Sequence, residues 1–138
     1  RDLAWRLAMP AHVLGLSCRC SMVKALMGLC DLFMGVAMHS TILAMGMGVP
    51  TLGLSYADKT TDLFQDLGLA EWAVPVEALH RPGQAGLLAE KITQLRDRRE
   101  AVRHGLRHAW AERAARVEEG YAAWLERALR HHPGGGEP

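Results

Sequence analysis

Long apolar runs, aromatic residues, cysteine and lysine are all scarce in this chain. No run of about eighteen uncharged apolar residues passes without a Gly, Pro or His, which argues against a membrane-spanning helix. Aromatic residues make up only 6% of the 138, and charged residues 22% with a formal net charge of +1. That balance excludes a disordered polyelectrolyte and a basic nucleic-acid tail. Three cysteines make a poor disulfide framework, because Cys18 and Cys20 are too close to span a loop and Cys30 is left over. Thiols in a reducing compartment, buried where the spacing is helical, fit better, and with no recognisable export signal in 1–10 a cytoplasmic location is expected. Arginine outnumbers lysine 13 to 3 and the chain opens on Arg1, which together suggest a piece of a longer protein.

What is present divides in two. All seven methionines lie before residue 70, and the last third is an Arg/Glu/Ala mixture. Up to residue 80 the net charge is −2 (5 basic, 7 acidic), and beyond it +3 (11 basic, 8 acidic). Met22, Val23, Leu26, Met27 and Cys30 recur at helical spacing after Ser21 as N-cap. The run 31–36 reads as a strand covered on both faces. A helix follows from about Ser40, with Ser40 or Thr41 as N-cap and Gly46, Gly48 and Pro50 as its stop. A strand at 51–56, a short helix at 61–67 ended by Gly68, and a strand at 72–74 complete the series.

This alternation predicts an α/β fold, a Rossmann-like parallel sheet with right-handed crossovers and helices on both faces. From Gly86 onward, Leu88, Ile92, Leu95, Val102, Leu106, Trp110, Val117, Tyr121, Trp124 and Leu129 mark one amphipathic stripe. They predict a long terminal helix or a pair broken at Gly105 or Gly120. The expected organisation is an α/β core over 1–85, a helical segment over 86–132 and a disordered tail over 133–138.

In parallel sheets ligands sit outside the carboxyl ends of the strands. Two turns there carry chemistry. In 35–40, a strand ends, His39 emerges and Ser40 opens a helix. In 55–61, Ser55, Tyr56, Asp58, Lys59 and two threonines surround the next helix start. Unpaired N–H groups at both helix starts suit an anion, with Lys59 as a point charge and His39 as proton donor or hydrogen-bond partner. A single strand-end histidine is more often structural, and a loop lysine more often solvated. The Tyr56-x-x-Lys59 spacing differs from the Tyr-x-x-x-Lys dehydrogenase couple. No Gly-rich dinucleotide fingerprint or Walker sequence accompanies it.

The segments 31–44 (DLFMGVAMHSTILA), 48–56 (GVPTLGLSY), Lys59 and 67–69 (LGL) resemble the C-terminal region of polysaccharide pyruvyl transferases. The likeness covers about residues 21–79. It implies the second half of a GT-B-like fold, with a further N-terminal domain outside this sequence. It also implies a transferase that moves a pyruvyl group from phosphoenolpyruvate to a glycan or lipid-linked sugar acceptor, forming a ketal. Phosphoenolpyruvate would be the donor substrate and no cofactor is implied. His39 takes the position of the family's active-site histidine, and Tyr56 and Lys59 lie beside its donor pocket, with Ser40 and Ser55 as further binding residues. One landmark departs: Ala37 stands where that pattern has the Arg of Arg-x-His. A guanidinium recognises carboxylate or phosphate bidentately, and alanine supplies none of those donors.

Other features weigh less. Cys18, Cys20, Cys30 and His39 have unusual spacing for zinc, His104 and His108 sit among charges on a solvated face, and no metal is expected. The methionines read as core filler. The Arg-rich stretch 96–107 is interleaved with acids, which disfavours nucleic acid. An apolar inter-domain face left uncovered would favour a homo-oligomer. Two alternatives stay open: a GT-B glycosyltransferase or sugar epimerase half binding a nucleotide sugar, and a non-catalytic α/β domain with a decayed site.

Overall fold

The computed structural model describes residues 10–12, 18–84 and 86–131. The expected disordered tail at 133–138 lies outside them. Helix α1 (Cys20–Met27) leads into strand β1 (Phe33–Gly35), helix α2 (Met38–Gly46), strand β2 (Thr51–Ser55) and helix α3 (Asp58–Asp66). A short 3-10 turn at Ala70–Trp72 precedes strand β3 (Ala73–Pro75), which runs into helix α4 (Val76–Leu79). Helices α5 (Leu87–Asp97) and α6 (Arg99–His131) close the chain. The three strands form one parallel sheet in the order β1-β2-β3, with Gly35 opposite Gly53 and Gly53 opposite Ala73.

The α/β alternation and the parallel sheet agree with the sequence. Both connecting helices end in the same way. Gly48 and Gly68 sit at φ 74° and 69°, a conformation glycine adopts without steric cost. The following residues close each helix, Val49 N–H donating to the Ala44 carbonyl at 3.1 Å and Leu69 N–H to the Phe64 carbonyl at 2.7 Å. These are six-to-one bonds of the Schellman type, and each turns the chain straight into the next strand or the turn before it.

Helix starts lie earlier than the hydroxyl residues suggest. Arg19, not Ser21, caps α1, and Ala37, not Ser40 or Thr41, caps α2. Ser40 Oγ donates back to the Ala37 carbonyl at 2.7 Å and Thr41 Oγ1 to the Met38 carbonyl at 2.7 Å. Both hydroxyls therefore serve helix carbonyls rather than the free N–H groups of a helix start. Helix α3 likewise begins at Asp58 rather than Thr61.

The two crossover helices share one face of the sheet. A Cβ on Gly35 would stand 3.0 Å from Ser40 Oγ and Thr41 Cγ2 of α2, and one on Gly53 2.7 Å from the Phe64 ring of α3. Since Gly35 and Gly53 are register partners, α2 and α3 lie on the same side. Strands added in one direction with one crossover hand must give this result. The second face is supplied by α5, which packs against β2, where Leu52 points away from Phe64 and is buried. This cover does not reach β1, so the expectation of a strand enclosed on both faces fails at Met34, 48% exposed.

The core joins Met45, Leu52, Phe64, Leu67, Trp72 and Val74 of the α/β unit to Leu95, Val102 and Leu106 of the terminal helices. The helix break falls at Arg98, not at Gly105 or Gly120. Leu95 before the break and Val102 after it are both buried in the core. Only the first part of the apolar stripe is used: Val117, Tyr121, Trp124 and Leu129 are exposed, as is every residue of Ala114–Arg130 except the half-buried Ala128. Of the methionines expected as core filler, Met45 is buried, whereas Met22, Met34 and Met47 are exposed. Cys20 and Cys30 are exposed free thiols rather than buried ones: α1 keeps none of its residues in the core, and Cys30 lies beyond its end. Among the described residues no helix is long and apolar enough to cross a membrane.

Candidate functional site

The carboxyl ends of all three strands open on one edge of the sheet, where β1 turns into α2, β2 into α3 and β3 into α4. Because α2 begins at Met38 and α3 at Asp58, His39 and Lys59 occupy the same second position on two helices that follow neighbouring strands. Both side chains are exposed and neither has a hydrogen-bond or ion-pair partner among the described residues. The first-turn N–H groups of both helices lack side-chain caps, since Ala37 and Ala57 at the cap positions carry no acceptor. An uncapped helix start is a place where anions are favoured by the N–H groups and the positive end of the dipole.

Beside this pair, between the ends of β2 and β3, lies a cavity of about 400 Å³. Ser55, Tyr56, Ala57, Asp58, Thr61, Pro75 and Glu77 line it. Ser55 is buried at the last position of β2, and its Oγ donates to the Ala57 carbonyl at 2.9 Å. Thr61 Oγ1 stands 3.0 Å from the same oxygen. These bonds tie the turn after β2 to the first two turns of α3. The Tyr56 ring is 60% exposed.

Of the residues expected from sequence, Ser55 and Tyr56 line this cavity. Lys59 and His39 stand on the same edge outside its lining, and Ser40 is engaged with Ala37. The structure adds Asp58, Thr61 and Glu77. The first two belong to the turn already singled out. Glu77 follows a three-residue strand and sits in no motif; the rule that ligands gather at strand carboxyl ends, applied to β3, is the one signal that points to it.

A second cavity, about 360 Å³ at Asp31, Leu32, Arg96 and Arg99, lies at the opposite, amino end of β1. Its guanidiniums are paired with Asp97 and Glu100. Among the described residues no cluster of three or more His, Cys, Asp or Glu side chains is arranged to hold a metal ion.

Over 73 residues the chain is 30% identical to the Amylovoran biosynthesis protein AmsJ of Erwinia amylovora, a stretch that covers 53% of this chain and 17% of that protein. The chain thus spans about a sixth of the length of that relative. No family model matches the chain, and no solved structure matches it.

Proposed function

We propose that this chain is part of an exopolysaccharide-biosynthesis enzyme, and more finely of one that transfers a pyruvyl group from phosphoenolpyruvate to a sugar. The similarity to an amylovoran biosynthesis protein supports the broader statement. The finer one rests on the paired placement of His39 and Lys59 at the starts of α2 and α3. Two uncapped helix starts, an imidazole and an ammonium on one sheet edge suit a ligand bearing both carboxylate and phosphate.

The chemistry needs an acid and an anion holder. Protonation of the methylene carbon of the enol ester generates a cationic centre at C2. A sugar hydroxyl attacks it and loses its proton, phosphate leaves with the C2–O electron pair, and a second hydroxyl closes the ketal. His39 would supply the first proton or donate to the departing phosphate. Lys59 and the helix N–H groups would hold the negative charge.

Ala37 favours one other reading, a decayed site. It is exposed at the cap of α2, on the same edge, where a guanidinium would reach the anion. Titration of the 138-residue chain with phosphoenolpyruvate, read as thermal protection, separates the two. Saturable protection that is lost in Lys59→Ala and His39→Ala supports the transferase reading. Absence of protection, or protection indifferent to both substitutions, overturns it.

A further inference from the structure

We infer that the cavity between the ends of β2 and β3 is a subsite for a polyhydroxylated ring, a sugar, and that it adjoins the anion-holding edge at His39 and Lys59 through the shared start of α3. The inference rests on the exopolysaccharide reading only for choosing a sugar among hydroxyl-bearing rings.

The hydrogen-bond inventory of the lining carries it. A carbonyl only accepts, so Ser55 Oγ commits its single proton to the Ala57 carbonyl. Thr61 Oγ1 then supplies the proton of the 3.0 Å pair with Ser55. Both hydroxyls face the cavity with lone pairs and no free proton. Asp58 and Glu77 are exposed and have no ion-pair or hydrogen-bond partner for their carboxylates among the described residues. No cation lines the cavity. Four side-chain acceptors therefore face one side-chain donor, the Tyr56 hydroxyl, beside the uncapped first turn of α3.

The Asp58 and Glu77 carboxylates oppose the pull of the α3 start on an anion, and a ligand whose hydroxyls both donate and accept meets the acceptors and the helix N–H groups alike. The apolar remainder, the exposed Tyr56 ring and Pro75, suits the C–H face of a pyranose. A single cation would also be drawn to carboxylates. The two charged acceptors, however, stand on different elements, Asp58 at the start of α3 and Glu77 in α4, while Ser55 and Thr61 pair with each other at 3.0 Å. Donors distributed round a ring fit that layout better than a point charge does.

Saturation-transfer NMR of the full 138-residue chain with the methyl glycosides of glucose, galactose and mannose tests this. At least one glycoside is expected to give a saturable signal concentrated on its ring protons. Glu77→Gln, which preserves volume, and Tyr56→Ala should each weaken it about tenfold, the usual scale for losing a charged acceptor or a stacking face. His39→Ala should leave it unchanged, with urea midpoints showing that all variants are folded. No saturable signal from any glycoside, binding indifferent to Glu77→Gln and Tyr56→Ala, or displacement of the glycoside by millimolar tetramethylammonium would overturn the proposal. Glycoside binding in a chain that phosphoenolpyruvate fails to protect would remove the pyruvyl-transfer reading and leave this subsite standing.

Discussion

The Arg98 guanidinium lies over the Trp72 ring, 5.2 Å from its centroid, while Nη1 donates to Glu71 Oε2 at 2.6 Å. Lys91 reaches the same ring at 5.7 Å and donates to the Glu71 carbonyl at 3.1 Å. Cations on α5 and at its end thus cover a fully buried tryptophan at the entrance to β3. This clamp stands at the residue where the terminal helix breaks. Arg98→Ala should cost about 1 kcal/mol, the sum of a half-exposed ion pair and one cation–π contact. Trp72→Ala should cost about 3–5 kcal/mol. Urea unfolding followed by circular dichroism measures both, and equal costs would mean that the clamp, not the indole, closes this side of the core.

Helix α6 has a packed part and a projecting part. Leu106 is fully buried, whereas Val117 is 70% exposed. Leu106→Ala should lose about 2–5 kcal/mol, while Val117→Ala should stay within about 0.5 kcal/mol. Arg113 Nη2 of α6 donates to the Asp66 carbonyl of the α/β unit at 2.6 Å. Seventeen residues from Ala114 to Arg130 at about 1.5 Å each extend the helix roughly 26 Å past it. A large cost at Val117 in dilute solution would show that the stripe is covered after all.

Gly53 is required for contact rather than for backbone conformation. Its place in β2 is extended, but a Cβ there would meet the Phe64 ring at 2.7–2.8 Å. Gly53→Ala should therefore destabilise by about 1–3 kcal/mol as an overpacking change. The double variant with Phe64→Leu should recover part of that loss. Additive costs in the double-variant cycle would contradict the contact.

Ala37→Arg is the direct test of the missing guanidinium. The position is exposed at the start of α2, so the change should leave stability within about 0.5 kcal/mol. Under the pyruvyl-transfer reading it should raise phosphoenolpyruvate affinity about tenfold or more, as a charge-assisted contact does. Thermal-shift titration reads both quantities in one experiment. Unchanged affinity would mean that this edge does not hold the donor.

The strands and the stops of α2 and α3 were legible in the sequence; the helix starts and the break at Arg98 were not. Short apolar runs bounded by Gly, Pro and Asp mark β1, β2 and β3 within two residues at each end, and Gly48 and Gly68 end their helices by a conformation that other residues adopt at a cost. Capping signals misled because Ser40 and Thr41 turn back onto helix carbonyls, while the true caps, Ala37 and Ala57, have no side-chain oxygen to announce them. That shift of two or three residues is what puts His39 and Lys59 in the first turns of their helices.

By itself the sequence determined the α/β order, the amphipathic character of the terminal helices and the turn from Ser55 to Thr61, because periodicity and glycine conformation are local properties. Only the tertiary structure decided what covers each apolar face: α5 over Leu52, nothing over Met34, and the core over Leu106 but not over Tyr121. It also brought Glu77 beside Ser55, twenty-two positions away, through the pairing of β2 with β3. A periodic pattern states that a face is apolar; the element that buries it, and the side chain that meets another across a strand edge, follow from packing between distant segments.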